Sequence, residues 1–279
     1  MKFAGIIAEY DPFHNGHAWQ LAQAKALGAE RVAVAMSCSL VQRGALPLLP
    51  EAVRTQSALT CGADLVFALP APCACAGAEA FARAGVALLA AAGCDGLVFG
   101  AETPDAALLM EAAELLDSDS YRAALKAQLA GGARSFAAAR QAAAAQLASD
   151  ERVAALLDKP NNNLAVEYCR AIRSLAPRME AYPLPRQGAD HGEALHSAHG
   201  QFASASALRK LWAEGGADAV APYVPEAVFP LYQEAYAAGQ YTDFSAAGRC
   251  ELALLRSACR GKPPFADIRG VSEGLEHRL

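Results

Sequence analysis

The chain has 279 residues, enough to bury a substantial core in one large domain or two smaller ones. Its 24 Lys and Arg against 29 Asp and Glu give a formal charge of −5, which supplies no global pull toward nucleic acid. No run reaches the roughly 18 consecutive apolar residues of a membrane span, and the apolar stretch before Glu9 is too short for a secretory signal, so a cytoplasmic location is expected. Much of the 54% apolar content is alanine in runs such as "AAARQAAAAQLA", the composition of a helix-rich globular protein. The eight cysteines form no CxxC pair and mostly have apolar neighbours, which reads as reduced, partly buried thiols.

In chain order, "FAGIIAE" (3–9) is a first strand and "HAWQLAQAKALGA" (17–29) is helical in spacing and content. "RVAVAM" (31–36) is a second, buried strand, and "PEAVRTQSALTCGA" is a helix with Pro50 near its start. "DLVFALP" (64–70) is a third strand, "GAEAFARAGVALLAAAG" a helix, and "DGLVFG" (95–100) a fourth strand. Strands apolar on both faces, alternating with helices, predict a parallel α/β sheet. Residues 104–150 read as all helical, followed by a helix start at "DKPNNNLAVEYCRAI" and a short strand, "MEAYPLP" (179–185). Residues 186–202 lack periodicity and read as a loop, "SASALRKLWAEGG" as a serine-capped helix, and the rest as helices and turns. The final "ADIRGVSEGLEHRL" does not read as a finished domain edge.

The stretch "AEYDPFHNGH" (8–17) therefore falls between a first strand and a first helix. Ligands of open α/β sheets collect there, and free N–H groups at helix starts are ready to meet phosphate. Gly16 lets the backbone approach a ligand closely, and His14 and His17, three apart, can point one way if the helix begins near Asn15. Two imidazoles donating to phosphate oxygens would stabilise charge developing at phosphorus. The plainer reading makes them a helix cap and a surface residue. There is no GxGxxG and no GxxxxGK[ST], so neither a dinucleotide fold nor a P-loop is supported.

"GIIAEYDPFHNGH" resembles the HxGH motif of the nucleotidyltransferase superfamily, and the chain as a whole resembles the tRNA(Met) cytidine acetate ligase family. "MSCSLVQRG", "CGADLVFALP", "LVFGAET", "KPNNNLAVEYCRAI", "SASALR" and "VSEGLEHRL" resemble further family segments, in the family's order. The resemblance implies a Rossmann-like parallel sheet of the HxGH type with additional helices toward the C-terminus. It divides the chain into an ATP-binding domain (1–215, with a helical insertion at about 104–175) and a helical region (216–279) that in the family leads into further sequence. It implies activation of acetate by ATP to acetyl-adenylate, with release of pyrophosphate, and acetylation of N4 of the wobble cytidine in elongator tRNA(Met). A related nucleotidyltransferase with another acceptor and a non-catalytic ATP-binding paralogue remain alternatives.

By the same resemblance, His14, His17 and Arg186 would serve the ATP phosphates, and Gly16 would allow the approach. Ile7, Tyr10 and Phe13 lie in the segment lining the nucleotide, Gly100 leaves room for the adenosine, and Asn162 matches a nucleotide contact. Ser204, Ser206 and Arg209 would support the phosphate end, and Gln42 and Arg43 of the "QRG" loop would frame the acyl or tRNA side. Read without the family, Asn161 or Asn162 is a helix N-cap, Ser204 another cap, and Arg209 a solvated surface residue. His191, His196 and His199 match no zinc spacing. No metal ligand is assigned, and Mg²⁺ would arrive with ATP, held by phosphates and water.

Four departures stand out. Asp11 replaces the family's usual Asn, Pro50 and Glu51 replace an Asp-Lys pair, Ala68 replaces a Glu, and Cys38 replaces a Gly. Losing a lysine and gaining a glutamate weakens attraction for a polyphosphate or an RNA backbone. The basic residues available for a local patch, Arg43, Arg54, Arg186 and Arg209, are scattered, so ATP binding with weak, strongly salt-dependent tRNA binding is expected.

Overall fold

The structure, a computed structural model, describes residues 1–42, 44–132, 135–185, 196–197 and 200–258. In chain order, β1 (Phe3–Ala8) leads to α1 (Asn15–Ala26), β2 (Arg31–Ser37) to α2 (Glu51–Thr60), and β3 (Leu65–Leu69) to the single turn α3 (Ala71–Ala74) and to α4 (Ala78–Ala91). After β4 (Gly96–Ala101) come α5 (Ala106–Asp117), α6 (Asp119–Ala130), α7 (Phe136–Leu147), α8 (Glu151–Leu156) and α9 (Pro160–Leu175). β5 (Glu180–Pro185) follows, then β6 (His196–Ser197), β7 (Gly200–Gln201), α10 (Ala205–Val220) and α11 (Phe229–Ala237). These elements belong to one compact unit, Met1–Gln240. α12 (Phe244–Ala258) belongs to a second unit starting at Tyr241, and its own N-terminus is closed by Asp243, whose Oδ1 accepts the N–H groups of Ser245 and Ala246 at 2.9 and 3.0 Å.

The sheet order is β3-β2-β1-β4-β5, every pairing parallel, with Ile6 opposite Val34 and Gly100 opposite Leu184. The sequence dictates this because the central strands carry apolar residues on both faces and need helices over each. One face packs Leu89, Leu97, Phe99, Leu109 and Ile172 between the sheet and α4, α5 and α9. The other packs Ile6, Leu21, Val34, Met36, Leu208 and Trp212 against α1, α10 and α11. The helical stretch after β4 breaks where a polar side chain can close a new helix start: Asp105, Ser118, Ser135 and Asp150 each accept a backbone N–H from the turn that follows. Within 186–202, expected as a loop, the described residues include the two-residue antiparallel pairing of β6 with β7, and 186–195 and 198–199 lie outside the described residues.

α10 bends at Gly216, whose φ of +68° favours glycine and where a Cβ would meet the Tyr236 ring at 2.5 Å. The bend lets the first half of α10 point at the sheet's carboxyl edge while the second half packs beside α11.

The loops at that edge are tied by Arg54 of α2, which has no exposed surface. Its Nη1 donates to the carbonyls of Glu9 and Ser37, each at 2.7 Å, its Nε to that of Leu49 at 3.0 Å, and its Nη2 to that of Cys38. Burial pulls the guanidinium below its usual range, against the opposing charge of Asp11. Arg54 is thus a core residue and cannot belong to the surface patch in which the sequence alone placed it. Arg54→Met would leave four carbonyl acceptors without these donors. A loss of about 3–5 kcal/mol is expected, read as a lowered urea midpoint at constant slope.

Candidate functional site

β1 has its sequence successor β2 on one side and β4 on the other, so the strand order reverses between β1 and β4, where ligands of open α/β sheets bind. A cavity of about 350 Å³ opens there. Ile7, Ala8 and Glu9 from the end of β1 face Phe99 and Gly100 from β4. Leu164 and Tyr168 of α9, Phe81 of α4, and Trp19 and Gln20 of α1 complete the walls, with the start of α10 at its rim.

His14 is the N-cap of α1, and its Nδ1 accepts the Gly16 N–H at 3.0 Å, while His17 Nδ1 accepts the His14 N–H at 3.2 Å. This reciprocal arrangement is a capping box built from two imidazoles. The rings stack with centroids 3.7 Å apart, and both line the cavity. With each Nδ1 occupied as an acceptor, the hydrogen-bond pattern puts the proton of the neutral ring on Nε2. The cap and the ligand-facing donor are therefore two edges of the same ring, and the two readings of the sequence are both present. The N–H of Gly16 goes to His14 Nδ1 and that of His17 to the His14 carbonyl at 2.9 Å, so these backbone donors, expected to meet phosphate, are satisfied within the protein. Gly16 is required by the fold of the ring over the helix start: a Cβ there would sit 2.9 Å from His14 Cε1.

The loop between β1 and α1 is held by residues about two hundred positions away. Asp11, 4% exposed, accepts the Leu48 N–H at 2.6 Å on Oδ1, while Arg209 Nη1 donates to its carbonyl at 2.6 Å and to Oδ2 at 3.1 Å. Burial lifts the Asp11 carboxyl above the usual range despite the opposing Leu48 N–H, Arg209 and Arg54. Tyr232 OH donates to the Phe13 carbonyl at 2.7 Å, and Asn15 Nδ2 donates to the carbonyls of Gln201 and Pro222 at 3.0 and 3.3 Å. Tyr10 takes the left-handed φ of +50° and packs edge-on against His17, centroids 4.8 Å apart. Burial, with a smaller contribution from Cys61, raises its phenol well above the usual range.

On the β4 side, the carboxylate of Glu102 closes the start of α9. Oε1 accepts the Asn161 N–H at 3.2 Å and its Nδ2 at 2.6 Å, and Oε2 accepts the Asn162 N–H at 2.7 Å. Burial would raise this carboxyl, but the Asn161 and Asn162 bonds outweigh it and leave it below the usual range. Neither asparagine is the N-cap expected from sequence. That position is Lys159, without a side-chain cap bond.

The expected site residues divide accordingly. Ile7, Tyr10, His14, Gly16, His17, Gln42, Gly100 and Ser204 line the cavity. Asn162, 1% exposed, is locked to Thr103, accepting its N–H at 2.9 Å and donating to its Oγ1 at 3.1 Å, and it is the neighbouring Asn161 that faces the cavity. Phe13 has no exposed surface and lies in the core. Ser204 caps α10 by accepting the Ala207 N–H at 3.2 Å, and Ser206 lies 3.0 Å from it, oxygen to oxygen, outside the cavity lining. Arg209 is ion-paired with Asp11 rather than solvated, and it too lies outside the lining. Arg43 and Arg186 lie outside the described residues. Sequence reasoning missed Glu9, Trp19, Phe81, Asn161, Leu164 and Tyr168 as wall residues. A polar residue directly after the first strand and a third asparagine beyond the needs of capping were the signals for Glu9 and Asn161. The second tryptophan, Trp212, is 3% exposed, edge-on to Tyr232 and Tyr236.

The family model described as HIGH Nucleotidyl Transferase matches residues 1–279. The chain is 36% identical to the tRNA(Met) cytidine acetate ligase of Syntrophotalea carbinolica, over 100% of this chain and 66% of that protein. It is 34% identical to that of Caldanaerobacter subterraneus subsp. tengcongensis, over 100% of this chain and 69% of that one. The crystal structure of Thermotoga maritima TmcAL bound with alpha-thio ATP is similar with a TM-score of 0.85 and 30% identity, covering 100% of this chain and 66% of that one. The apo form of the same protein gives 0.87 and 32%, over 67% of its length. The chain thus spans about two thirds of the length of these relatives.

Gly16→Ala should displace the His14 ring while changing stability little, since the gain of about 1 kcal/mol in helix propensity offsets a weakened cap of similar size. Shifted His14 ring resonances in the NMR spectrum, with melting moved by only a few degrees, are the expected result. Unmoved resonances would show that the glycine is not needed for the stack.

Proposed function

The chain belongs to the tRNA(Met) cytidine acetate ligase family, within the HIGH nucleotidyl transferases, and on that footing we propose that it activates acetate with ATP and acetylates N4 of the wobble cytidine of elongator tRNA(Met). The observation that carries the proposal is the stacked His14–His17 pair, each ring spending Nδ1 on the helix start and lining the cavity at the β1–β4 reversal. Their Nε2 protons are placed to stabilise charge on the β- and γ-phosphates as pyrophosphate departs, and because the capping box fixes both rings, little reorganisation is needed. Gly100 and Pro185 give a wall bare enough for the adenosine, with Asn161 as its polar partner. Phe81, Phe99 and Leu164 supply the apolar surface a methyl group would meet. Ser204, at the positive end of α10, adds a further donor at the rim.

Mg²⁺ would arrive with the nucleotide and shield the pyrophosphate charge. The cavity-lining carboxylates among the described residues are Glu9 and Asp11, and Asp11 is engaged by Arg209 and Leu48. This fits an ion held mainly by phosphate oxygens and water.

Acetate-dependent ATP–pyrophosphate exchange, run with and without tRNA(Met), tests the reading. Exchange is expected from the wild-type protein. His17→Gln keeps a side-chain acceptor for the His14 N–H, as glutamine does in ordinary capping boxes, but loses the imidazole donor. Exchange should fall about 100- to 1,000-fold at an unchanged melting temperature, the size of effect seen when one donor to a developing negative charge is removed. Saturable ATP binding without exchange in the wild type would instead favour a non-catalytic binder, and exchange without tRNA acetylation a different acceptor.

A further inference from the structure

Resting on the acetate-ligase reading, the chemistry of the second step raises a need that the histidines do not meet. The exocyclic amine of cytosine is conjugated with its ring and is a weak nucleophile. When it attacks an acyl carbon it must give up a proton to a nearby acceptor. The cavity walls present several titratable groups, and most are committed. The Nδ1 atoms of His14 and His17 accept backbone N–H bonds, so Nε2 of each neutral ring carries a proton and donates. Asp11 is buried and bonded to Leu48 and Arg209. Tyr10 and Tyr168 are kept protonated by burial, to which the nearby charge of Glu9 adds in the case of Tyr168.

Glu9 is different. It directly follows β1, is half-buried, and lines the cavity. Its position is fixed twice: its carbonyl accepts Arg54 Nη1 at 2.7 Å, and its Oε1 accepts the Gln42 N–H at 2.6 Å. The first bond sets the backbone at the end of the strand. The second joins the carboxylate to the loop after β2, so that Glu9 lies between the nucleotide cavity and that loop, with its charge felt by Tyr168 of α9. A carboxylate preorganised in this way, on the rim of a site whose other groups are donors or enclosed, is suited to accept a proton rather than to bind phosphate, which its charge would repel.

We propose that Glu9 is the general base of acetyl transfer. The N4 amine attacks the carbonyl carbon of acetyl-adenylate and the C–N bond forms. The N4 proton passes to the Glu9 carboxylate. The bond between the acyl carbon and the phosphate oxygen breaks, and AMP leaves with the electron pair. Glu9 then returns its proton to solvent.

The test uses Glu9→Gln, which keeps a carbonyl oxygen for the Gln42 N–H and so preserves the tether while removing the base. Two rates are compared across pH: acetate-dependent ATP–pyrophosphate exchange without tRNA, and single-turnover transfer of radiolabelled acetyl from enzyme-formed adenylate to excess tRNA(Met). Transfer should fall about 100- to 10,000-fold, at least tenfold more than exchange. The wild-type transfer rate should drop on acidification, as the carboxylate protonates, and that dependence should vanish in the variant. Equal losses in both steps, an unchanged transfer rate, or exchange that recovers only at raised Mg²⁺ would each overturn the assignment, the last by making Glu9 a metal ligand. Absence of both reactions in the wild type would overturn the reading of the site itself, and this inference with it.

Discussion

A guanidinium enclosed by protein on every side holds the carboxyl edge of this sheet together. Arg54 donates to the carbonyls of Glu9, Ser37, Cys38 and Leu49, and so joins the chain leaving β1 to the chain leaving β2. Those carbonyls sit where strands end and ladder bonding stops, and backbone acceptors buried there must find partners. One side chain supplies them. Because Glu9 and Tyr10 are fixed from one end by this arginine, the unusual backbone angle at Tyr10 can be maintained, and the imidazole packed against that ring inherits its position.

The other end of the same loop is fixed from far along the chain. Arg209 reaches Asp11, Tyr232 reaches Phe13, and Gln201 and Pro222 receive the amide of Asn15. The histidine pair is accordingly a local motif in a non-local setting: its capping geometry is complete within four residues, while the platform under it needs α10 and α11. The bend at Gly216 is part of that platform, since it allows α10 to serve both the cavity rim and the packing around Trp212. In this chain the aspartate at position 11, where the family usually has asparagine, turns one of these tethers into an ion pair and engages an arginine that could otherwise have faced an anion.

Sequence reasoning worked where the physics is local or periodic. The five parallel strands were legible because each is an apolar run bounded by turn residues, and observed boundaries differ by only a residue or so. His14, Gly16 and His17 were legible because strand-then-helix context gives such a cluster a meaning. Reading failed where a side chain's direction depends on a distant partner. Asn161 and Asn162 are adjacent and chemically identical, and only the carboxylate of Glu102, arriving from β4, decides which faces the cavity and which turns to Thr103. Arg54 and Arg209 looked like candidates for an anion patch because a sequence shows their charge and not their enclosure. Phe13 shares a motif with the histidines, yet alternation along a tight loop sends it into the core.

The placement of the two tryptophans gives the molecule an optical property of practical use. Trp19 forms part of the cavity wall, whereas Trp212 is sealed between Tyr232 and Tyr236. A soluble quencher will reach the first indole and not the second. Emission from the cavity can therefore be separated from emission reporting on the packed interior, with no label added. A nucleotide entering the pocket shields the accessible fluorophore, and unfolding exposes the protected one. Occupancy and integrity are thus written into two distinguishable signals of the unmodified chain.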